Sequence, residues 1–268
     1  MKVISAGSSS SGNSYIITTE KSTIILDVGL PAKRIMEGLE KAGRSPGDVD
    51  AVLITHEHGD HVRSVRAIGR QCPNAVFYAS RGTVEKTANF SYIDDDRIRY
   101  IAAGEIFDTE DGSVELATFE LNHDAAEPLG FTITADGEKL AVVTDCGVIT
   151  DEIYEAIKDA DMLVLESNHD EHMLMYGEYP YHLKVRIKSE HGHMSNTHAG
   201  DTLAAILEDR EKSGCDRPLR VMLAHLSFHN NAPYFARQTV DEILENADFE
   251  KDRHYELMIA SKDEITIL

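Results

Sequence analysis

The sequence lacks the features that would place it in a membrane or in an oxidising compartment. No apolar run approaches the ~20 residues that a membrane-spanning helix needs. The first residues contain no apolar segment of the kind found in a secretory signal. The three cysteines, Cys72, Cys146 and Cys215, are scattered and form no CxxC pair, which gives no indication of a disulfide framework. We therefore expect a cytoplasmic protein with no membrane partner.

Basic residues are scarce. The chain has 26 Lys and Arg against 47 Asp and Glu, so its net charge is 26 − 47 = −21 with His counted neutral. A field of this sign repels nucleic acid at long range. A local basic patch or bound metal cations can reverse the sign at one site, so a nucleic-acid substrate is not excluded.

The chain also lacks internal repeats and any linker rich in Pro, Gly or Ser, which predicts a single domain over residues 1–268. Apolar patterning predicts strands at residues 2–5, 14–18, 23–27, 51–55, 75–79, 114–121, 130–135, 139–144, 162–166, 220–224, 255–260 and 264–268. It predicts helices after Pro31 and at residues 61–70, 151–158, 197–212 and 233–246. Two β-rich sets interleaved with helices indicate an α/β protein, an αββα sandwich of two mixed sheets flanked by helices.

A histidine-rich segment, THEHGDH at residues 55–61, follows an apolar strand. His56 and His58 are two residues apart, so in an extended segment their side chains point to the same side. Asp60 and His61 come one turn later and can face a second position nearby. Imidazoles combined with one or two carboxylates suit Zn(II), Mn(II) or Fe(II) better than Mg(II) or Ca(II). The segment therefore predicts a divalent metal site.

The HxHxDH pattern after a short apolar strand resembles the metallo-β-lactamase superfamily, whose members hold two metals between two sheets. The resemblance implies that the first metal is bound by His56, His58 and His123 and the second by Asp60, His61 and His225, with Asp145 bridging them. Asp27 resembles a buried aspartate that orients the first ligand loop, although a turn residue at a strand end is the competing interpretation.

Two divalent cations, Zn or Mn with Fe as a further candidate, would lower the pKa of a bridging water towards neutrality and so supply hydroxide. They would also stabilise the charge that develops on a substrate oxygen. Asp60 lies beside that water in this assignment and is the predicted proton acceptor. The ligand set alone predicts metal-dependent hydrolysis and leaves the bond that is cut open.

Further motifs resemble the YycJ/WalJ (VicX) family along almost the whole chain. They are SGNS at residues 11–14, THEHGDH at 55–61, NHDAAEPLGF at 122–131, LESNHD at 165–170, GEYP at 177–180, GHMSN at 192–196 and AHLS at 224–227. The resemblance implies a DNA phosphodiesterase, a 5′-to-3′ exonuclease that serves mismatch repair and works with a repair-protein partner.

Basic residues before one predicted helix support a phosphate substrate. Lys184, Arg186 and Lys188 alternate, so an extended segment would place them on one face. They lead towards the start of the helix at 197, whose backbone N–H groups can bind an anion. Resemblance to the loop of RNase Z-like enzymes makes His193 the candidate general acid and gives Ser195 and Asn196 phosphate contacts. A helix N-cap beside an exposed histidine is the competing interpretation.

One more histidine and one alternative function complete the predictions. His169 follows the strand at 162–166 and is expected to line the substrate channel, with a surface turn as the alternative. The net charge of −21 mildly favours a small-molecule hydrolase that acts on a thioester, lactone or cyclic phosphodiester. A DNA enzyme predicts a long positive groove, whereas a small-molecule enzyme predicts a closed and mostly apolar pocket.

Overall fold

The computed structural model describes residues 1–268 and contains fourteen strands and nine α-helices. The strands are β1 (Lys2–Ser9), β2 (Gly12–Thr18), β3 (Thr23–Leu26), β4 (Ala51–Leu53), β5 (Val76–Ala79), β6 (Ile98–Tyr100), β7 (Ile106–Asp108), β8 (Glu115–Glu120), β9 (Leu129–Ala135), β10 (Glu138–Val143), β11 (Met162–Glu166), β12 (Leu219–Ala224), β13 (Tyr255–Ile259) and β14 (Thr266–Ile267). The helices are α1 (Ala32–Lys41), α2 (Gly59–Val62), α3 (Val65–Gln71), α4 (Arg81–Lys86), α5 (Asp151–Ile157), α6 (Glu171–Tyr176), α7 (Tyr181–Ile187), α8 (Asn196–Lys212) and α9 (Pro233–Asn246).

The strands form two mixed sheets of seven strands each, flanked by helices, which confirms the predicted fold class. Two compact units make up the chain. The first unit comprises Met1–Glu120, Ala125–Gly137 and Ser261–Leu268, and the second comprises Leu121–Asp124 and Glu138–Ala260. The single domain stays a prediction. None of the nine helices has the length and apolarity that crossing a membrane requires.

The first unit contains the sheet ordered β14-β1-β2-β3-β4-β5-β6, together with the antiparallel strands β7, β8 and β9. Strands β3 to β6 run parallel, so their carboxyl ends lie at one edge of the sheet. Apolar side chains of this sheet, such as Val52 and Phe77, form a core with Ile35 of α1 and Ile68 of α3. This core fixes the sheet edge that carries Asp27 after β3 and His56 after β4.

The second unit contains the parallel strands β10, β11, β12 and β13 as neighbours in that order. All five residues of β11 are buried, as expected for a parallel strand that is covered on both faces. Three chemically important residues occupy the carboxyl ends of neighbouring strands, namely Asp145 after β10, Glu166 at the end of β11 and His225 after β12. The parallel arrangement therefore gathers them at one edge.

Two local predictions are wrong. Residues 181–188 do not form an extended segment, because Pro180 stands at the N-cap of α7, which spans Tyr181–Ile187. Successive helical residues are about 100° apart, so Lys184 and Lys188 share a side of the helix and Arg186 does not. The strands predicted at residues 2–5 and 14–18 are too short, because β1 extends to Ser9 and β2 begins at Gly12.

Candidate metal centre

The four predicted ligands of the first unit lie close together on the loop that follows β4. His58 is the N-cap of the short helix α2, which contains Asp60 and His61. The ring of His56 lies 4.7 Å from the ring of His58 and 4.2 Å from that of His61, measured between centroids. Asp60 Oδ2 is 3.6 Å from His61 Nε2. The loop therefore presents three imidazoles and one carboxylate in one small region.

Asp27 holds two of these histidines. It is fully buried, and its carboxylate accepts hydrogen bonds from His61 Nδ1 at 2.7 Å and from the Thr55 backbone N–H at 2.9 Å. The Thr55 hydroxyl also donates to Asp27, so its oxygen accepts from His56 Nδ1 at 3.0 Å. These contacts occupy Nδ1 of both imidazoles, so Nε2 is the nitrogen of His56 and His61 that could bind a metal. The role of Asp27 in orienting the ligand loop stays a prediction.

Gly29 allows the ligand loop to pack against the end of β3. A Cβ atom on Gly29 would lie 1.5 Å from the backbone oxygen of Asp60. The neighbouring Val28 N–H donates to the His61 backbone oxygen at 2.8 Å. Only glycine permits this close approach of the two backbones, so residue 29 fixes the position of α2.

The second unit supplies the other predicted ligands. Asp145 Oδ1 lies 3.7 Å from His123 Nε2 and 3.5 Å from His225 Nδ1. The His123 Nδ1 atom donates to the backbone oxygen of Gly192 at 3.2 Å, which directs Nε2 towards the carboxylate. All three side chains are buried. Within the second unit, the predicted bridging aspartate thus lies close to both predicted histidine ligands of that unit, His123 and His225.

Glu166 is a site residue that sequence reasoning missed. Its fully buried carboxylate accepts four hydrogen bonds. Oε1 accepts from His193 Nδ1 at 2.9 Å and from His225 Nδ1 at 2.7 Å. Oε2 accepts from the backbone N–H groups of Cys146 at 2.9 Å and Met194 at 3.1 Å. One carboxylate therefore positions a predicted metal ligand, the candidate general acid and the loops that carry them.

The electrostatics of this cluster favour an ionised pair. Burial alone would raise the pKa of Glu166, but the adjacent imidazoles of His193 and His225 lower that pKa to about 2. Burial would lower the pKa of His193, whereas the Glu166 carboxylate raises it, and the net direction is upward. Glu166 is therefore a carboxylate at neutral pH and favours a protonated His193.

We expect Glu166→Ala to lower the free energy of unfolding of the metal-free protein by about 3–5 kcal/mol, because four buried donors lose their acceptor. Urea unfolding of chelator-treated protein measures the change without the contribution of metal binding. The matched control is Glu115→Ala, which removes an exposed carboxylate from β8 and should change stability by less than about 0.5 kcal/mol. Equal stabilities of the two variants would contradict a structural role for Glu166.

The donor set fits divalent metal ions. Within the second unit, ligand atoms of the predicted ligands Asp145 and His225 lie within 4.8 Å of each other. Four of the predicted histidine ligands donate Nδ1 to a protein oxygen, the arrangement that metal-binding imidazoles commonly adopt: His56, His61, His123 and His225. Imidazole and carboxylate ligands suit Zn(II), Mn(II) and Fe(II).

Lys184 and Arg186, the cations predicted to contact phosphate, are paired with other groups of the protein. Lys184 Nζ donates to the backbone oxygens of Met175 and Gly177, and Arg186 pairs with Asp124 at 2.6 Å. One of these cations is therefore bound by carbonyl groups and the other by a carboxylate, and their phosphate contacts stay predictions.

The loop before α8 is also engaged within the protein. Ser195 is the N-cap of α8, and its hydroxyl accepts from the His198 N–H at 3.1 Å. This is the helix N-cap that the sequence analysis gave as the alternative to a phosphate contact. The buried Asn196 amide is hydrogen-bonded to Ser167 and Asn231, so it holds the loop in place. Phosphate contacts of Ser195 and Asn196 stay predictions.

His169 lines a cavity of about 280 Å³ that is also lined by His193, Lys188 and Ser195. Its side chain is buried and its Nδ1 atom has no hydrogen-bond partner. Burial lowers the pKa of His169 to about 4, so the imidazole is neutral at pH 7. The place of His169 beside a substrate channel stays a prediction.

The two mixed sheets and the histidine and carboxylate clusters at their strand ends define a hydrolase of the metallo-β-lactamase class. The family model described as the Beta-lactamase superfamily domain matches residues 25–212. The chain is 33% identical over 255 residues to the exodeoxyribonuclease YycJ of Bacillus anthracis, covering 93% of this chain and 91% of the relative. It is 32% identical over 264 residues to the exodeoxyribonuclease WalJ of Streptococcus pneumoniae, covering 97% and 94%. The chain belongs to the YycJ/WalJ family of the β-lactamase superfamily.

A solved structure shows the same fold at low sequence identity. Zn(2+)-bound PqqB from Methylobacterium extorquens superposes with a TM-score of 0.71 and covers 99% of both chains at 16% identity. The predicted resemblance to the metallo-β-lactamase superfamily and to the YycJ/WalJ family is therefore confirmed.

Proposed function

We propose that this hydrolase is a DNA phosphodiesterase, a 5′-to-3′ exonuclease that requires two divalent metal ions. The observation that carries the proposal is the identity of 32–33% over more than nine-tenths of the chain to two relatives that are both named exodeoxyribonucleases. With this DNA substrate, we also propose a cytoplasmic location and a repair protein as partner.

The proposed metal ligands are the seven predicted ones, and Zn or Mn is the expected metal, with Fe as a further candidate. One metal would be held by His56, His58 and His123 and the other by Asp60, His61 and His225, with Asp145 as the shared ligand. When bound, such ions supply Lewis acidity that makes water more acidic and polarises a phosphoryl oxygen. Asp27 and Glu166 keep the ligating imidazoles in place through their Nδ1 atoms.

His193 is the proposed general acid for the departing oxygen. Its Nδ1 atom is fixed by Glu166, so Nε2 is the nitrogen that can hand a proton to a substrate. The side chain is 17% exposed, whereas Glu166 beneath it is fully buried. The raised pKa of His193, which results from the Glu166 carboxylate overcoming burial, favours the protonated form that an acid needs. Asp60 is the proposed acceptor of the proton from the attacking water.

A direct test uses end-labelled single-stranded and duplex DNA with metal-quantified protein in Mn(II), in Zn(II) and in excess chelator. We expect nucleotides to be removed progressively from the 5′ end with metal and no shortening with chelator. Activity should fall steeply as salt is raised, because counterions compete for the phosphates. Intact DNA together with hydrolysis of a thioester, lactone or cyclic phosphodiester would replace this proposal by the small-molecule function.

A further inference from the structure

A second cavity, of about 590 Å³, lies within the first unit and takes no part in the centre described above. Its wall includes Tyr100 at the end of β6, Arg81 at the start of α4 and the segment 126–129. Small-molecule sites in proteins typically enclose ~300–1,000 Å³, so the cavity is large enough for one nucleotide.

Hydrogen bonds join the wall of the cavity to the ligand loop of the same unit. The Leu129 N–H donates to the Thr55 backbone oxygen at 2.9 Å, and the Ala126 N–H donates to Glu57 Oε1 at 2.9 Å. Thr55 and Glu57 are the two neighbours of His56, a predicted metal ligand. Arg81 follows β5 and Tyr100 is the last residue of β6, at the sheet edge where His56 follows β4. A group in the cavity would thus lie beside the ligand loop.

The lining has the chemistry of a nucleobase site. The Tyr100 ring is 51% exposed, and the guanidinium carbon of Arg81 lies 4.5 Å from its centroid, which gives a planar stacking surface. Apolar atoms of Ile101, Pro128 and Leu129 line other parts of the wall. Flat aromatic and apolar surfaces of this kind are where proteins stack the bases of single strands.

The charged groups argue for a base and against a phosphate. Three carboxylates line the cavity, Glu105, Glu120 and Glu127, against the single cation of Arg81. Their negative charge would repel a phosphate group, whereas carboxylate oxygens accept hydrogen bonds from the amino groups of bases. Glu127 also accepts from the Gly82 N–H at 2.8 Å, which joins the start of α4 to the segment 126–129 of the cavity wall.

We propose that this cavity binds one nucleobase of the DNA substrate by stacking on Tyr100, and so positions the chain beside the ligand loop. This inference rests on the proposed exonuclease function. Tyr100 is here a binding residue that acts on the substrate away from the reacting phosphate.

The test compares kcat/KM on single-stranded DNA for Tyr100→Ala, Tyr100→Phe and Tyr92→Ala. Tyr92 is the matched control, because it is a similarly exposed tyrosine with Arg66 over its ring at 3.8 Å and does not line this cavity. We expect Tyr100→Ala to lower kcat/KM about ten-fold, since the stacking of one base contributes this much to binding. Tyr100→Phe and Tyr92→Ala should have the same kcat/KM as the unaltered protein. All variants should hydrolyse methyl p-nitrophenyl phosphate, which carries no nucleobase, at equal rates.

Oligonucleotides with one abasic residue at successive positions identify the stacked base. We expect kcat/KM of the unaltered protein to fall about ten-fold when the abasic residue is at one particular position of the oligonucleotide. The kcat/KM of Tyr100→Ala should fall no further at that position. Unchanged DNA degradation by Tyr100→Ala, or an abasic effect of the same size in that variant, would overturn the base site alone. Hydrolysis of methyl p-nitrophenyl phosphate without degradation of any DNA would instead overturn the proposed function.

Discussion

Asp145→Asn is expected to lower kcat on DNA by about 10³-fold or more and to weaken metal binding while the fold persists. The carboxylate has Oδ1 within 4 Å of ring nitrogens of His123, His193 and His225, so it lies among the imidazoles of the second unit. Its loss removes charge stabilisation that contributes several kcal/mol to metal-dependent hydrolysis. The backbone of residue 145 has φ 58°, a left-handed conformation that asparagine also tolerates, so the substitution changes charge with little strain.

The measurements are single-turnover cleavage of end-labelled DNA and the metal content after dialysis. Asp136→Asn is the matched control, because Asp136 also has a left-handed backbone, with φ 54°, and contacts Glu20 in the first unit. We expect that variant to retain activity and metal. An Asp145→Asn enzyme with full activity and full metal content would show that the metal assignment is wrong.

His193→Ala is expected to lower kcat on DNA by about 10²–10⁴-fold, because the departing alkoxide loses its proton donor. The same variant should lose much less on a p-nitrophenyl phosphodiester, since p-nitrophenolate leaves without a proton. The comparison separates proton donation from a general loss of structure, which would lower both rates equally.

The exposed His191, two residues earlier in the chain, provides the control for this prediction. His191→Ala should retain the activity of the unaltered protein on both substrates. Metal content must also be measured, because Glu166 holds His193 and His225 together. Equal losses on both substrates at full metal content would argue against His193 as the general acid.

The part of the site that is contiguous in sequence could be predicted from spacing alone. His56, His58, Asp60 and His61 lie within six residues after an apolar strand, and the structure places them in one loop. His123, Asp145 and His225 are single residues at distant positions, so only the resemblance to a known superfamily selected them. The fold class followed from the alternation of strands and helices.

What the sequence could not indicate depends on contacts between distant residues. Glu166 stood at the end of an apolar strand, but its partners His193 and His225 are 27 and 59 residues away. The alternation of basic residues at 184–188 suggested an extended segment, yet Pro180 precedes a helix there. The cavity beside Tyr100 is lined by residues from four separate stretches of chain, so no local pattern announces it.

The left-handed backbone conformations at the strand ends lower the stability of the fold, but the residues that adopt them carry side chains of the metal centre. Asp27, Asp145 and His225 have φ of 57°, 58° and 56°, a conformation that costs most L-residues about 1–2 kcal/mol. Glycine would relieve that strain, most of all at residue 225, but it would remove an imidazole or a carboxylate of the centre. Directed evolution for heat resistance alone would therefore enrich inactive enzymes at these positions. Thermostable and active variants should instead be sought at exposed sites away from the ends of β3, β10 and β12.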